Sequence, residues 1–295
     1  MLQTFHYVLK GTCTMLYDQV IEAAAAIRAS SNLRPTLALI LGSGLGDLAN
    51  ELEQAVAIAY ADIPHFVHST VASHAGRLLL GWLENMPVVV MQGRFHLYEG
   101  YAPHVVTLPV RVMRMLGAEV LLVTNAAGGV NPAYCPGDFM LIRDHIYMPG
   151  LAGLSPLVGQ DDVRLGERFP SLTLAYEPQL RAAARVVAAG QNVTLHEGVY
   201  TMVGGSNFET SAELKYLRVI GTDAVGMSTA LEVIVARQVG MRVLGISLIT
   251  NSATGSETGE VSHTSVVEAA KAVRTAFSAL IRGIVREIAN RSSEP

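Results

Sequence analysis

The sequence predicts an α/β fold, because apolar segments of strand length alternate along it with segments of helical period. Two further observations support this class. The chain contains 27 glycines and long runs of Ala, Val and Leu, and such small residues allow helices to pack closely on a sheet. With 295 residues, half of them hydrophobic, it is long and apolar enough to bury a large core. No internal repeat or low-complexity linker divides the sequence, so we expect one domain.

The first half of the chain contains two predicted helices and several predicted strands. Residues 17–30 are rich in Ala and Ile and predict the first helix, and residues 105–116 predict a second helix that Gly117 ends. The strands are short apolar runs, two of which are spaced like a hairpin (77–83 and 87–92). Their bounds are 36–41, 77–83, 87–92 and 120–124.

The second half of the chain continues the same alternation. Strands are expected at 199–203 and 243–250, with helices at 211–220 and 230–239 between them. The last segment, 262–291, predicts a long final helix with a break near Gly283.

Two segments outside these elements have a distinct composition. Residues 149–170, rich in Pro and Gly, form the longest expected loop, and loops of that length usually serve a function or an interface. Residues 1–15 are expected to form a disordered extension, so that the domain spans 16–295.

Composition and charge exclude several classes of protein. The net charge of −4 and the pI near 6.1 show no basic excess, so nucleic acid is not an expected partner. The two cysteines, Cys13 and Cys135, do not form a disulfide framework or a metal-binding pattern. Neither a signal peptide nor an apolar run of roughly 20 residues is visible, so we expect a soluble cytoplasmic protein with no membrane partner.

A glycine-rich turn follows the first strand. Gly42, Gly44 and Gly46 resemble a dinucleotide-binding fingerprint, but that motif requires glycine where Asp47 stands, and the acid would face the pyrophosphate. A dehydrogenase is therefore rejected. The remaining alternatives are a plain tight turn and a strand–turn–helix whose backbone N–H groups hold an anion, with Ser43 adding a hydroxyl.

A second polar segment follows the hairpin. Arg94, His96 and Tyr98 alternate, so in an extended chain their side chains would point the same way. The planar fork of arginine matches phosphate oxygens, and His96 can donate a further hydrogen bond. A solvated strand edge is the structural alternative, and three such side chains on one face favour a binding site.

Three further segments leave both interpretations open. Phe208 could stack on a flat ring and Glu209 could accept from its edge, but the same residues suit a helix start capped by Asn207. Asn251 follows the last apolar strand, where α/β enzymes keep ligand contacts and where turns also begin. His263, at an expected helix start, suits a cap region as well as a ligand site.

In their order and amino-acid sequence, these segments strongly resemble those of the trimeric purine nucleoside phosphorylases. The resemblance runs from about Tyr17 to the C-terminal helix. It is carried by LGSGLG at 41–46, HAGR at 74–77, QGRFHLYEG at 92–100, TNAAGG at 124–129, FET at 208–210, VGMST at 225–229 and SLITN at 247–251.

This resemblance implies a single-domain α/β fold with a mixed central sheet flanked by helices, and a homotrimer with active sites near the subunit interfaces. It implies that phosphate is bound by Ser43, His74, Arg94, His96, the Ala126 backbone N–H and Ser228. Ribose would be held by Tyr98, Met227 and His263, and the purine by Phe208, Glu209 and Asn251. Phe169, in the long loop, would reach into the site of a neighbouring subunit.

The expected reaction is phosphorolysis of inosine- and guanosine-type nucleosides in purine salvage. Asn251, Glu209 and His96 would carry the chemistry, with phosphate as co-substrate and no metal or organic cofactor. An ionised Glu209 can only accept a hydrogen bond, which suits the N1–H of a 6-oxopurine, while the Asn251 amide can serve O6 and N7 together.

Two other functions stay open on the sequence. A methylthioadenosine phosphorylase is the closest alternative, although such an enzyme would be expected to carry Asp at position 251. A catalytically silent nucleoside- or phosphate-binding homologue is the other, although it would be expected to lose Arg94, His96, Glu209 or Asn251, and all four are present.

Overall fold

The computed structural model describes residues 15–71, 74–159, 162–256 and 261–292. Within these ranges the chain forms a mixed nine-stranded sheet with helices on both faces, which confirms the predicted fold class. The strands are β1 (Leu37–Leu41), β2 (Glu53–Ala59), β3 (Arg77–Leu83), β4 (Met86–Gln92), β5 (Val120–Gly129), β6 (Phe139–Tyr147), β7 (Leu195–Met202), β8 (Ala224–Gly226) and β9 (Arg242–Ser252). Of the expected N-terminal extension, residues 1–14 lie outside the described residues.

The helices cover both faces of this sheet. They are α1 (Leu16–Ser30), α2 (Pro103–Val106), α3 (Leu108–Leu116), α4 (Met148–Leu151), α5 (Pro178–Gly190), α6 (Ser211–Val219), α7 (Ala230–Gln238), α8 (His263–Ala272) and α9 (Arg274–Ser292). In the part of the chain that the structure describes, no helix is both long and apolar enough to cross a bilayer.

The sheet closes on itself at one end. Its order is β2-β3-β4-β1-β5-β8-β7-β6-β9, and β9 pairs again with β5, so that the last five strands form a ring. β4, β1, β5 and β9 lie next to one another and are parallel, whereas β2 and β3 extend the sheet in antiparallel pairing. The long strand β5 therefore belongs both to the ring and to the open part of the sheet, where it pairs with β1.

The strands are apolar because both of their faces are covered. In β1, Ala38 and Ile40 pack in the core beneath α1, α3 and α7, while Leu37, Leu39 and Leu41 pack in the core beneath α5 and α9. All five side chains are fully buried. This two-sided burial explains why the strands appear in the sequence as continuous apolar runs rather than as alternating ones.

Two predicted helices are each divided into two. The helix expected at 105–116 is interrupted at Thr107, since Pro109 has no N–H to continue the hydrogen-bond ladder and sits in the first turn of α3. The final helix is interrupted at Val273, between α8 and α9, and not near Gly283. Gly283 instead lets α9 approach α5, because a Cβ there would lie 2.6 Å from Cγ1 of Val187.

Other departures from the predictions are local. The glycine turn leads into a 3-10 helix, Gly46–Glu51, and not into an α-helix. The long loop contains α4 and a short 3-10 turn, Val163–Leu165. The strands and α-helices that were not predicted are β2, β6, β8, α4 and α5.

Candidate active site

Four parallel strands bring the segments singled out in the sequence to one edge of the sheet. β4, β1, β5 and β9 run in the same direction, so their carboxyl ends meet. Gly42 and Ser43 follow β1, Arg94 follows β4 after a single glycine, Ala126 lies near the end of β5 and Asn251 near the end of β9.

A cavity of about 420 Å³ opens at this edge, a volume within the range of small-molecule sites. Most of the residues predicted to bind phosphate, ribose and base line it together, while His74 and Phe169 lie outside its lining. The lining includes Ser43, Arg94, His96, Tyr98, Ala126, Phe208, Glu209, Met227, Ser228, Asn251 and His263. The structure thus brings residues far apart in sequence to one place, and the role of each stays a prediction.

His74 stands directly behind the cavity wall. Its Nε2 lies 3.3 Å from Oγ of Ser43, and its ring stacks on that of His96 with centroids 5.4 Å apart. The backbone of Arg94 holds the other side of the ring, with its carbonyl oxygen 2.9 Å from Nδ1. Burial, together with the positive charges expected on His96 and Arg94, lowers the pKa of His74 to about 3. His74 is therefore neutral near pH 7.

Arg94 is buried and enclosed by protein acceptors. Its Nη1 donates to Oε2 of Glu232 at 2.8 Å and to Oγ1 of Thr229 at 3.1 Å. Its Nη2 donates to the carbonyl oxygens of Thr124 and Ile40. Both Nη atoms are therefore bound within the protein, which leaves Nε as the unengaged nitrogen among contacts to described residues, and the binding of phosphate by Arg94 stays a prediction.

His96 and Tyr98 form a stacked pair in the cavity wall, with ring centroids 4.5 Å apart. Glu99 supports this pair: its Oε1 accepts from the His96 backbone N–H at 2.8 Å, and its Oε2 accepts from the backbone N–H of Thr70 at 2.6 Å. Burial acts to raise the pKa of Glu99, but these hydrogen bonds outweigh it and lower the pKa to about 2. Burial lowers the pKa of His96 even though the Glu99 carboxylate opposes that shift.

Phe208, Glu209 and Asn251 line the cavity together. Burial raises the pKa of Glu209, and the charge of Glu213 adds to the shift. The Asn251 amide is oriented by its neighbours, since Oδ1 accepts from the Thr250 hydroxyl at 3.0 Å and Nδ2 donates to the Ser252 carbonyl at 3.1 Å.

The start of α6 does not use the cap that the sequence suggested as a structural alternative. Thr210, and not Asn207, is the N-cap, and it forms a reciprocal capping box with Glu213. Phe208 and Glu209 therefore precede the helix and are not part of its first turn, which leaves both side chains available to the cavity.

Met227 and His263 complete the lining around the stacked rings. Gly205, at a φ of +72°, packs against this part of the wall, where a Cβ would lie 2.6 Å from Sδ of Met227 and 3.0 Å from Cδ1 of Tyr98. His263 is the first residue of α8, and the Ser262 side chain caps that helix by accepting from the Ser265 N–H at 3.1 Å. The cap is thus supplied by Ser262, and His263 remains in the cavity wall.

Sequence reasoning missed a group of buried residues that hold Arg94 in the cavity wall. Glu232 and Thr229 hold Arg94, and Asn125 donates to Oγ1 of Thr229 at 2.9 Å. A signal was present for two of them, because Thr-x-x-Glu at 229–232 has the spacing of a capping box at a helix start.

Phe169 lies away from the cavity in the single chain, and 86% of its surface is exposed. It follows α4 in a segment that exposes several other large apolar side chains, among them Leu151, Val158 and Val163. An apolar surface of this kind is typical of an interaction site.

The chain matches the sequence profile of the phosphorylase superfamily over residues 36–286. It is 49% identical over 270 residues to purine nucleoside phosphorylase 1 of Bacillus subtilis (strain 168), an alignment that covers 92% of this chain and 98% of that relative. It is 50% identical over 259 residues to the purine nucleoside phosphorylase of Bos taurus, with 86% of this chain and 90% of the relative covered.

Solved structures of similar sequence share the fold. A purine nucleoside phosphorylase of Schistosoma mansoni, solved in complex with inosine, aligns with a TM-score of 0.87 at 39% identity, covering 91% of this chain and 96% of that one. Isoform 2 of the Schistosoma mansoni enzyme, solved with cytosine and ribose-1-phosphate, aligns with a TM-score of 0.88 at 40% identity, covering 92% and 96%. The profile and these alignments span all or nearly all of the stretch between Ser43 and His263.

Proposed function

The chain belongs to the phosphorylase superfamily and is a purine nucleoside phosphorylase, and from this premise we propose which nucleosides it cleaves and how. The reaction transfers a pentose from a purine to inorganic phosphate and yields the free base and a pentose 1-phosphate. The substrates that we propose are inosine, guanosine and their 2′-deoxy forms, as in purine salvage. The observation that carries this proposal is one cavity that combines oxyanion-binding groups with an aromatic ring, a carboxylate and an amide suited to a purine.

We propose that phosphate lies against the ends of β1, β4 and β5. Hydroxyl donors come from Ser43 and Ser228, and the Ala126 backbone adds an N–H. Arg94 contributes through Nε, because its Nη atoms are bound to Glu232, Thr229 and backbone carbonyls. His96 lines the same region, and His74 acts on it through Ser43. In this position phosphate is both the nucleophile and the charge that stabilises the cationic sugar.

The pentose is proposed to lie between phosphate and base, against Tyr98, Met227 and His263. Cleavage of the N-glycosidic bond develops oxocarbenium character on the sugar, and the bonding electrons leave with the purine. A phosphate oxygen then bonds to the anomeric carbon. Inorganic phosphate is the co-substrate, and none of these steps uses a metal or an organic cofactor.

The preference for 6-oxopurines is proposed to come from Glu209 and Asn251. A 6-oxopurine presents an N1–H donor to the Glu209 carboxylate, and the Asn251 amide serves O6 and N7 as the base leaves. Adenine presents an N1 lone pair to the carboxylate, an unpaired contact that costs about 1–3 kcal/mol. Phe208 supplies a ring on which the purine stacks.

We also propose that the active unit is a homotrimer in the cytoplasm. The exposed apolar segment that contains Leu151, Val158, Val163 and Phe169 supports a subunit interface, with Phe169 reaching the site of a neighbour. Cys135 is a free and exposed thiol, which suits a reducing compartment. Sedimentation of the wild type and of Phe169→Ala tests the assembly, and phosphate-dependent activity of the variant tests whether the ring completes the site.

Initial rates on inosine, adenosine and methylthioadenosine, each with saturating phosphate, test the substrate proposal. Inosine is expected to react fastest by tenfold or more, the ratio that corresponds to about 1.4 kcal/mol. A preference for methylthioadenosine would identify the alternative phosphorylase and overturn the roles of Glu209 and Asn251. Binding of all three without turnover would identify a silent homologue.

A further inference from the structure

Thr229 has an unusual backbone conformation directly behind the cavity. Its φ of 75° and ψ of −56° are those of a γ-turn, and the Ala230 N–H closes that turn by donating to the Ser228 carbonyl at 2.9 Å. A β-branched residue is strained at positive φ, where glycine is favoured. Because the backbone disfavours threonine at this position, we expect its side chain to have a specific role.

Helix capping is not that role. Thr229 precedes α7 as its N-cap residue, but its hydroxyl accepts no hydrogen bond from the first turn of the helix. The hydroxyl is turned away from the helix, toward the residues that line the cavity.

The hydroxyl of Thr229 is saturated by three neighbours. It accepts from Nη1 of Arg94 at 3.1 Å and from Nδ2 of Asn125 at 2.9 Å, and both of these atoms are donors. A hydroxyl oxygen has two lone pairs and one hydrogen. With both lone pairs filled, the hydrogen is left for Oγ of Ser228, which lies at 3.2 Å.

This chain of hydrogen bonds has a direction that ends in the cavity. Because Ser228 accepts from Thr229, its own hydrogen is left for an acceptor on its other side, either the neighbouring Tyr200 hydroxyl or a ligand in the cavity that Ser228 lines. Because Thr229 and Glu232 bind Nη1 of Arg94, the guanidinium is held with Nε unengaged by described residues. Arg94, Ser228 and Thr229 are all buried, which makes these bonds strong and their loss costly.

We propose that Thr229 is a positioning residue for phosphate: its hydroxyl orients the Ser228 O–H and the Arg94 guanidinium toward the anion without touching it. The inference rests on the proposed phosphate site and deepens it. Thr229 is fully buried and is outside the cavity lining, so its effect on phosphate must pass through the lining residues that its hydroxyl binds, which are Arg94, Ser228 and Asn125.

The test compares Thr229→Val, which removes the hydroxyl and keeps the branched shape, with Thr229→Ser, which keeps the hydroxyl. The dissociation constant of inorganic phosphate is measured by calorimetry, and KM is measured separately for phosphate and for inosine. Thr229→Val is expected to weaken phosphate binding by about tenfold or more, the effect of one lost hydrogen bond to a charged group. KM for inosine at saturating phosphate should change by less than about twofold, and Thr229→Ser should stay within about threefold of the wild type.

Thr201→Val is the matched control. Thr201 is also fully buried, and its hydroxyl lies 2.6 Å from that of Thr222, outside the cavity lining. This variant should lose stability and keep the wild-type KM for phosphate. If Thr229→Val does not fold, Thr229→Ala carries the same prediction with less strain at positive φ.

Three outcomes would overturn the inference while the wild type still phosphorolyses inosine. The first is phosphate binding by Thr229→Val that equals that of the wild type. The second is an equal loss of phosphate binding in Thr229→Ser and Thr229→Val, which would assign the effect to the shape of the side chain. The third is failure of both Thr229→Val and Thr229→Ala to fold, which would assign Thr229 a structural role. Absence of phosphate-dependent cleavage by the wild type would instead refute the proposed function.

Discussion

Arg94 and Glu232 form an ion pair of 2.8 Å in which the two side chains are 1% and 3% exposed. Burial raises the pKa of Glu232, while the positive charge of Arg94 opposes that shift. The pair places a compensated charge behind the cavity at the end of β4. Binding of a phosphate anion would then add negative charge to a region that is already close to neutral, so fixed dipoles and neutral donors must contribute much of the attraction.

Removal of Glu232 should strongly destabilise the protein. In Glu232→Leu the arginine is left as a buried charge without its partner, which costs about 3–5 kcal/mol of unfolding free energy. The double variant Arg94→Met/Glu232→Leu should recover part of that loss and remain inactive, because the unpaired charge is gone along with the phosphate contact. Urea unfolding in phosphate-free buffer measures both values. A single variant as stable as the wild type would contradict the pairing.

Asn251 should be needed for departure of the base. Asn251→Ala is expected to lower kcat for inosine by about 10²–10³, the usual effect of losing one donor to a developing negative charge. Asn251→Asp should in addition move the preference toward 6-aminopurine nucleosides, since a carboxylate accepts from an amino group and repels O6. Thermal unfolding of each variant serves as the control for folding. Full activity of Asn251→Ala would refute this assignment.

The acid stability of the protein should depend on His74. The folded protein holds this histidine neutral, with a pKa of about 3, whereas the unfolded chain protonates it below about 6.5. Its contribution is therefore present above pH 6.5 and is lost as the pH falls from 6.5 toward 3. Between pH 6.5 and 4.5, His74→Gln should lose stability less steeply than the wild type, by up to about 1.4 kcal/mol per pH unit. Denaturant unfolding across that range measures the two slopes, and equal slopes would contradict the prediction.

Gly283 should resist replacement although it lies inside a helix. An alanine in an exposed helix interior is favoured over glycine by about 1 kcal/mol. At position 283, however, the new Cβ would lie 2.6 Å from Val187 of α5 and from Gln191, which follows that helix, and overpacking of this kind costs about 1–3 kcal/mol. Gly190→Ala is the matched control, because a Cβ at that end of α5 meets no atom within 4 Å. Equal stability of the two variants would show that the helices can separate without cost.

The fold class and the principal strands of the sheet could be predicted from the sequence because β1, β5 and β9 are buried on both faces and appear as continuous apolar runs. β2 was missed for the opposite reason. It lies at the edge of the sheet, and its burial pattern is mostly exposed, so it carries little apolar signal. The α8–α9 boundary at Val273 has no proline or glycine to mark it, whereas Gly283 suggested a break that packing does not require.

The predicted residues that line the cavity could be found because they follow strand ends and lie in segments of characteristic sequence. The buried residues that hold Arg94 in place could not be predicted in this way. Glu232 is 138 positions away from Arg94, and nothing in a single sequence indicates that two such residues form a pair. The same holds for Thr229, whose backbone conformation appears only in the folded chain. Local sequence patterns predict helices and strands, whereas contacts between residues distant in sequence can be predicted only when the topology of the sheet is known.

Cleavage of inosine with and without inorganic phosphate, with both products quantified, tests the central claim most directly. Hypoxanthine by absorbance and ribose 1-phosphate by phosphorus NMR should appear in equal amounts, and only when phosphate is present. Hypoxanthine released together with free ribose in the absence of phosphate would show hydrolysis, and would contradict phosphorolysis at this cavity.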